Sequence, residues 1–407
     1  MLIQYLSIGS EVLNGSTLNT NSAFISKELS LAGFELHRHL VIGDEKETIK
    51  KVLKESIDHY DLTIVTGGLG PTCDDLTKNL SGEVFHLKLA FDQEVYDELK
   101  KKYPDNWHLH QQAFQLEGVE LINNPIGTAQ GFIYSSNKKM IAFFPGVPKE
   151  FETMVIQEFI PWLKTHYFNR QLNKKNYLVL LKRELEVDPI LRSLEEECPN
   201  LKIGIYPSYG YLNLQLASSD VDDIKKACDR LENNLKTFLI EDFDTPALAF
   251  HSELKKQKIS LSVAESCSGG LLSHKITSIP EASLFFFGGV IAYSNEIKKS
   301  VLKVDESILK KEGAVSLACV KAMASGVKKL FDSQWSLAVT GIAGPSSGSK
   351  EKPVGTVFLA MQTENESFVG KLPLFPISKR ELIIQYATNY LLGLALRYLK
   401  FKIIPFA

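Results

Sequence analysis

The sequence predicts an α/β protein: two three-layer α/β domains with largely parallel sheets, joined by a small α+β module. Three observations carry that expectation. Short apolar runs alternate with helical periodicity in the first and last parts of the chain, the pattern of strands covered on both faces by helices. At 407 residues the chain is too long for one hydrophobic core. Glycine-rich turns follow several strand-like runs and lead into helix starts.

The first domain is expected over residues 1–168. Strand-like runs fall at 2–8, 35–42, 62–65, 131–134 and 140–144, and helical periodicity fills 22–32, 45–58 and 149–163. Asp44 precedes the second of these helices with Glu47 three residues on, which reads as a capping box. A polar, basic stretch at 165–176 reads as a linker. The small α+β module then spans 169–245, with strands at 178–181 and 213–217 and helices at 189–197 and 221–239. The polar stretch 240–245 marks the next boundary. The third domain, 246–407, has strands at 259–263, 284–293, 336–340 and 354–361 and helices at 270–277, 316–330 and 380–399.

Composition excludes several classes of function. The formal net charge is −2, so no electrostatic drive toward nucleic acid or an anionic membrane is present, and neither is expected as a partner. Five widely spaced cysteines suggest reduced thiols and a cytoplasmic location. The run at 2–8 follows no basic segment, so no signal peptide is expected. The apolar stretch 382–399 carries Gln385, Asn389 and Arg397, which favours a buried helix over a membrane span. The nine histidines show no metal-ligand spacing.

Two constellations carry chemistry. In the first domain, Gly67-Gly68-Leu69-Gly70-Pro71-Thr72 follows a strand and leads into Asp74-Asp75-Leu76-Thr77. Glycines at a strand end let backbone approach a phosphate, and the helix start offers N–H donors. Gly67, Gly68, Gly70, Thr72 and Asp75 are the expected nucleotide contacts. Asp74 and Asp75, with Glu11 from another strand end, are the expected ligands of a hard divalent cation. A tight turn and a helix-capping aspartate would explain the same residues without a ligand.

In the third domain, Ala264-Glu265-Ser266-Cys267-Ser268-Gly269-Gly270 follows a strand and opens a helix. Ser266 stands where a nucleophile is exposed, and the N–H groups of Ser268, Gly269 and Gly270 are candidate oxyanion or phosphate donors. Tyr293 and Lys298 follow the next strand. An un-ionised lysine in a dry pocket can take a serine proton, and Tyr293 could relay it or orient the amine. Taken singly, the serines also fit helix caps, Tyr293 an ordinary strand residue and Lys298 a solvated helix residue. Cys267 reads as packing. A further loop, Thr340-Gly341-Ile342-Ala343-Gly344-Pro345, ends a third strand.

Together these motifs resemble the competence/damage-inducible protein A (CinA) family over essentially the whole chain. Thr66-Gly67-Gly68-Leu69-Gly70-Pro71-Thr72, Asp74-Asp75-Leu76-Thr77, Gly127-Thr128-Ala129 and Pro145-Gly146-Val147-Pro148 resemble its molybdopterin-cofactor-biosynthesis (MoCF-like) domain. The middle section falls where the family has a KH-like module, but it has no Gly-x-x-Gly nucleic-acid loop. The third section resembles a nicotinamide-mononucleotide deamidase domain. The carrying pieces are 264–270, Tyr293-Ser294-Asn295-Glu296-Ile297-Lys298, Gly313-Ala314-Val315-Ser316, 340–345 and Glu351-Lys352-Pro353-Val354-Gly355.

The resemblance implies hydrolysis of nicotinamide mononucleotide to nicotinate mononucleotide and ammonia, in pyridine nucleotide salvage, by Ser266, Tyr293 and Lys298. Glu265, Ser268, Gly269, Gly270, Asn295, Thr340, Gly341 and Gly344 are expected at the substrate, with Arg380 as phosphate partner. No cofactor is expected for that reaction. For the first domain the resemblance implies an ADP-ribose pyrophosphatase using Mg, Mn or Co, although Asn19 replaces the family's usual aspartate. Small nucleotides are the expected partners, and a homodimer the expected assembly. The alternative is a non-enzymatic or regulatory competence or DNA-damage partner with a nucleotide-sensing first domain.

Overall fold

The computed structural model describes residues 1–72, 75–104, 109–167, 173–345, 348–374 and 379–406. The chain divides into two compact units, Met1–Gln171 and Leu172–Ala407.

The first unit is built on β1 (Ile3–Ile8), β2 (Leu36–Ile42), β3 (Leu62–Thr66), a two-stranded β4 (Leu89–Phe91) and β5 (Phe114–Leu116), β6 (Glu120–Ile122), β7 (Gly131–Ser136) and β8 (Lys139–Phe144). Its main sheet has the order β2-β1-β3-β8-β7-β6, with β2, β1, β3 and β8 parallel, β7 antiparallel to β8, and β6 antiparallel to β7. Residues of β1 enter separate cores: Ile3 and Tyr5 pack with Phe144, Phe151 and Phe159, whereas Leu6 and Ile8 pack with Leu53 and Phe143. Burial on both faces explains why these strands are near-continuously apolar.

Asp44 does not cap the helix Lys46–His59. Its carboxylate accepts from the Ser10 N–H at 2.9 Å, and the helix's N-cap, Glu45, makes no side-chain cap bond. The capping-box reading fails because Ser10, 34 residues away, takes that carboxylate instead.

The second unit holds two sheets. β9 (Asn173–Leu180), β10 (Lys202–Ser208), β11 (Tyr211–Ser218) and β12 (Leu239–Glu241) form an antiparallel sheet ordered β10-β11-β9-β12. β13 (Leu261–Glu265), β14 (Phe286–Ile291), β15 (Trp335–Gly341), β16 (Val357–Gln362) and β17 (Ser367–Lys371) form the other, ordered β14-β13-β15-β16-β17. In it β14, β13 and β15 run parallel, β16 is antiparallel to β15, and β17 is antiparallel to β16. Here too side chains alternate between cores: Val263, Leu337 and Leu359 face one, Ala264, Ala338 and Ala360 the other.

The sequence separates the middle module from the third domain at 245/246. In the structure, Leu178, Leu180 and Ile240 of the module's sheet join the same core as Leu261, Leu391 and Leu394, and the two pieces form one unit. The presumed linker also contributes structure, since 173–176 begin β9. β10 escapes a sequence reading because Gly204 and Pro207 interrupt its apolar pattern.

No described helix is long and apolar enough to cross a membrane.

Candidate active site

In the second sheet, β13 lies between β14 and β15, so the chain leaves β13 toward one side and later returns on the other. Crevices at the carboxyl ends of parallel strands form at such a reversal. Three loops end there: 266–270 after β13, 292–294 after β14, and 342–345 after β15.

Ser266 and Lys298 meet, both buried, at that end of the sheet. The Lys298 Nζ lies 3.0 Å from the Ser266 Oγ, 2.6 Å from the Ala292 carbonyl and 3.2 Å from the Tyr293 carbonyl. Local structure explains the meeting. Ile291 pairs with Glu265 across the parallel strands, and the Ala292 N–H donates to the Glu265 carbonyl at 2.7 Å. Ser294 then caps the helix Asn295–Ser300 through the Ile297 N–H, which turns Lys298 back toward β13. Lys298 is 1% exposed, and burial lowers its pKa below the ordinary lysine value. Nearby Cys319 and Cys267 oppose that shift only in part.

The charged ammonium can donate to all three oxygens, and the neutral amine suits the same contacts. It has two N–H bonds, which the two carbonyls can accept, and one lone pair left to face the Ser266 hydroxyl. Cys267 is no rival nucleophile, because burial pushes its thiol up to about 12.

Tyr293 meets Lys298 through its backbone carbonyl and Arg380 through its phenol. The ring is 61% exposed, and its hydroxyl accepts from the Arg380 Nη2 at 2.9 Å. Arg380 also donates through Nη1 to the Gly344 carbonyl at 2.8 Å. Its guanidinium therefore ties the β14 and β15 loops together at the first residue of the helix Arg380–Phe401.

Glu265, expected at the substrate, is instead fully buried and engaged by the protein. Its Oε2 accepts from the Ser268 hydroxyl and the Gly270 and Leu272 N–H groups, and its Oε1 from the Ser273 N–H and hydroxyl. That removes the Gly270 N–H from the expected donors and engages the Ser268 hydroxyl as well. The Gly269 N–H is also engaged, by the Ser266 carbonyl at 3.2 Å. Among the described residues, no carbonyl or carboxylate engages the Cys267 or Ser268 N–H. Gly269 and Gly270 take φ of 61° and 104°, so the turn requires glycine.

Asn295 is exposed at the first turn of its helix. Thr340 is fully buried, its hydroxyl donating to the Ala314 carbonyl at 2.9 Å rather than facing the crevice. Gly341 ends β15.

In the first unit, the turn after β3 borders a cleft of about 510 Å³ lined by Gly70, Thr72, Asp75, Lys78, Asn79 and Gln112, among others. Gly67 and Gly68 have φ of 103° and 70°, and a Cβ on Gly67 would lie 2.1 Å from the Ile8 carbonyl oxygen. Glycine is obligatory there. Asp75 accepts from the Thr72 N–H at 2.9 Å and the Thr72 hydroxyl at 2.5 Å, so it braces the turn. Glu11 is exposed, and Asp74 lies outside the described residues. Among the described residues, no cluster of three His, Cys, Asp or Glu side chains can hold a metal ion. Sequence reasoning misses Lys78, which burial pushes down to about 8 and whose ammonium donates to the Phe114 carbonyl at 3.1 Å.

Asn19 caps the helix Thr20–Leu31 through the Ser22 N–H.

Comparison with known proteins finds matches at both ends of the chain. Residues 4–165 match the family described as "Probable molybdopterin binding domain", and residues 244–399 match the "CinA C-terminal domain". A CinA-like protein of Prochlorococcus marinus subsp. pastoris is 36% identical over 398 residues, covering 94% of this chain and 92% of that protein. The chain belongs to the CinA family. Another CinA-like protein, from Geotalea uraniireducens, is 34% identical, with 90% of each chain covered. The crystal structure of a CinA protein from Thermoplasma acidophilum matches 40% of this CinA-family chain and 96% of its own, at 30% identity and a TM-score of 0.37.

Proposed function

We propose that the second unit is an amidohydrolase that converts nicotinamide mononucleotide to nicotinate mononucleotide and ammonia. The observation that carries this reading is the 3.0 Å contact between Ser266 and a fully buried Lys298 whose remaining contacts are both carbonyls. Ser266 attacks the carboxamide carbon while its proton passes to the Lys298 lone pair. The carbonyl oxygen, now negative, faces the main-chain N–H groups of Cys267 and Ser268. The C–N bond breaks as Lys298 returns its proton to the leaving ammonia. Water, deprotonated by the same amine, then attacks the acyl-serine carbon. The ester C–O bond breaks as Lys298 returns that proton to the Ser266 oxygen, and the acid product leaves as the carboxylate after losing its proton to solvent. These steps need no cofactor.

Arg380 supplies fixed positive charge for the phosphate. Two of its N–H donors hold the Tyr293 hydroxyl and the Gly344 carbonyl, leaving others for the ligand. Tyr293 orients Arg380 through its phenol and Lys298 through its carbonyl. An ammonia-release assay with nicotinamide mononucleotide, nicotinamide and NAD side by side tests the reading. Release from the mononucleotide is expected, and its absence would refute it.

For the first unit we propose nucleotide binding in the cleft lined by Gly70, Asp75 and Lys78, supported by the glycine turn and the buried lysine beside it. Survival of ADP-ribose during incubation with Mg, Mn and Co would reduce this site to a binding or sensing role, whereas hydrolysis would add a pyrophosphatase.

A further inference from the structure

We propose that Glu265 is the positioning residue of the serine–lysine site: its carboxylate fastens the following helix start to the end of β13, fixing Ser266 against Lys298. This rests on the deamidase reading above.

Five donors converge on this one side chain, and all five come from the eight residues after it. The distances run from 2.6 Å for the Ser273 hydroxyl to 3.0 Å for the Gly270 and Leu272 N–H groups. The first N–H groups of a helix have no partner within the helix. In the helix Leu271–Thr277, Glu265 satisfies those of Leu272 and Ser273 and also that of the cap residue Gly270. An internal carboxylate thus closes this helix start to a substrate anion.

The main chain around Glu265 is pinned as well. Its carbonyl accepts from the Ala292 N–H at 2.7 Å, and the Ser266 N–H donates to the Val339 carbonyl at 3.0 Å. One residue therefore binds the nucleophile turn to the helix ahead of it and to the loop that delivers Lys298. With the Gly269 and Gly270 N–H groups turned inward, the Cys267 and Ser268 N–H groups are the donors left beside Ser266. Catalysis by such a site depends on placing reacting atoms within a fraction of an ångström.

A glutamine at this position keeps the shape and exposes the consequence. Whichever way its amide turns, an NH₂ faces groups that are themselves donors: Ser273 on one side, Gly270 and Leu272 on the other. The full-length wild type, Glu265→Gln, Ser273→Ala and Ser266→Ala are compared by steady-state ammonia release from nicotinamide mononucleotide, with circular dichroism as the folding control. Glu265→Gln is expected to lower kcat by about 100-fold while KM stays within about 3-fold. Ser273→Ala, which keeps the carboxylate and removes one hydroxyl donor, is expected to lower kcat by about 3- to 10-fold. If Glu265→Gln does not fold, the Ser273→Ala result decides.

A folded Glu265→Gln with wild-type kcat would overturn the proposal, as would a raised KM with kcat intact, because Glu265 would then act in ground-state binding. An unchanged kcat in Ser273→Ala would overturn it when Glu265→Gln is unfolded. Full activity in Ser266→Ala, or no release by the wild type, would instead sink the deamidase reading and this inference with it.

Discussion

Lys298 is the residue on which the chemistry turns, because an amine with its charge would be useless as a base. Burial lowers its pKa, so the unprotonated fraction, and with it the hydrolysis rate, is expected to rise as pH climbs through that lowered value. Stability follows the same direction. Between the lowered folded value and the ordinary 10.5, the unfolded chain binds the proton that the native lysine has lost, so stability rises with pH across that window. Below the window both states are protonated and the full cost of burying the charge remains. Thermal unfolding of wild type and Lys298→Met across this range checks the sign: the wild type is expected to gain on the variant as pH rises.

Tyr293→Phe separates the tyrosine's two contacts. It removes the hydroxyl that Arg380 holds and keeps the carbonyl that holds Lys298. KM is expected to rise several-fold with kcat within about 10-fold of wild type. A kcat loss as deep as that of Ser266→Ala would make the phenol a proton relay. At this scale the sequence is partly legible. Ser266 and Lys298 can be picked out from their motifs, because both follow strand ends on one sheet edge. The phenol's partner cannot, since Arg380 is 87 residues away. Glu265 is misassigned from sequence because its five donors are visible only once the helix folds over it.

At the scale of elements, the glycine turns set the strand-to-helix geometry. Gly270→Ala would place a Cβ 3.1 Å from the Ile291 Cδ1 at φ 104°, and is expected to destabilise by about 1 kcal/mol or more in urea titration. Gly67→Ala is expected to cost more, because its Cβ would collide with the rigid main chain of β1. Equal midpoints for wild type and Gly67→Ala would refute that packing. The strands buried on both faces are readable as apolar runs. β6, β10 and β17 are not, being short or interrupted by glycine and proline, and their pairing depends on partners that the local pattern does not reveal.

For the whole molecule, two compact units carry two separate constellations. Asp75→Asn, which weakens the brace on Thr72 in the first unit, is expected to leave ammonia release within about 2-fold of wild type. A larger change would reveal coupling between the units. The alternation of strands and helices makes both α/β parts legible. The fusion of the middle module with the third part is not, because it depends on Leu178, Leu180 and Ile240 entering a core supplied by residues beyond position 246.

The most direct test of the serine–lysine pair is ammonia release from nicotinamide mononucleotide by Lys298→Arg beside the wild type, followed across pH. Arginine cannot give up its proton. The wild-type rate should climb with pH, and the variant should be inactive throughout. A Lys298→Arg enzyme that releases ammonia at the wild-type rate would contradict the account.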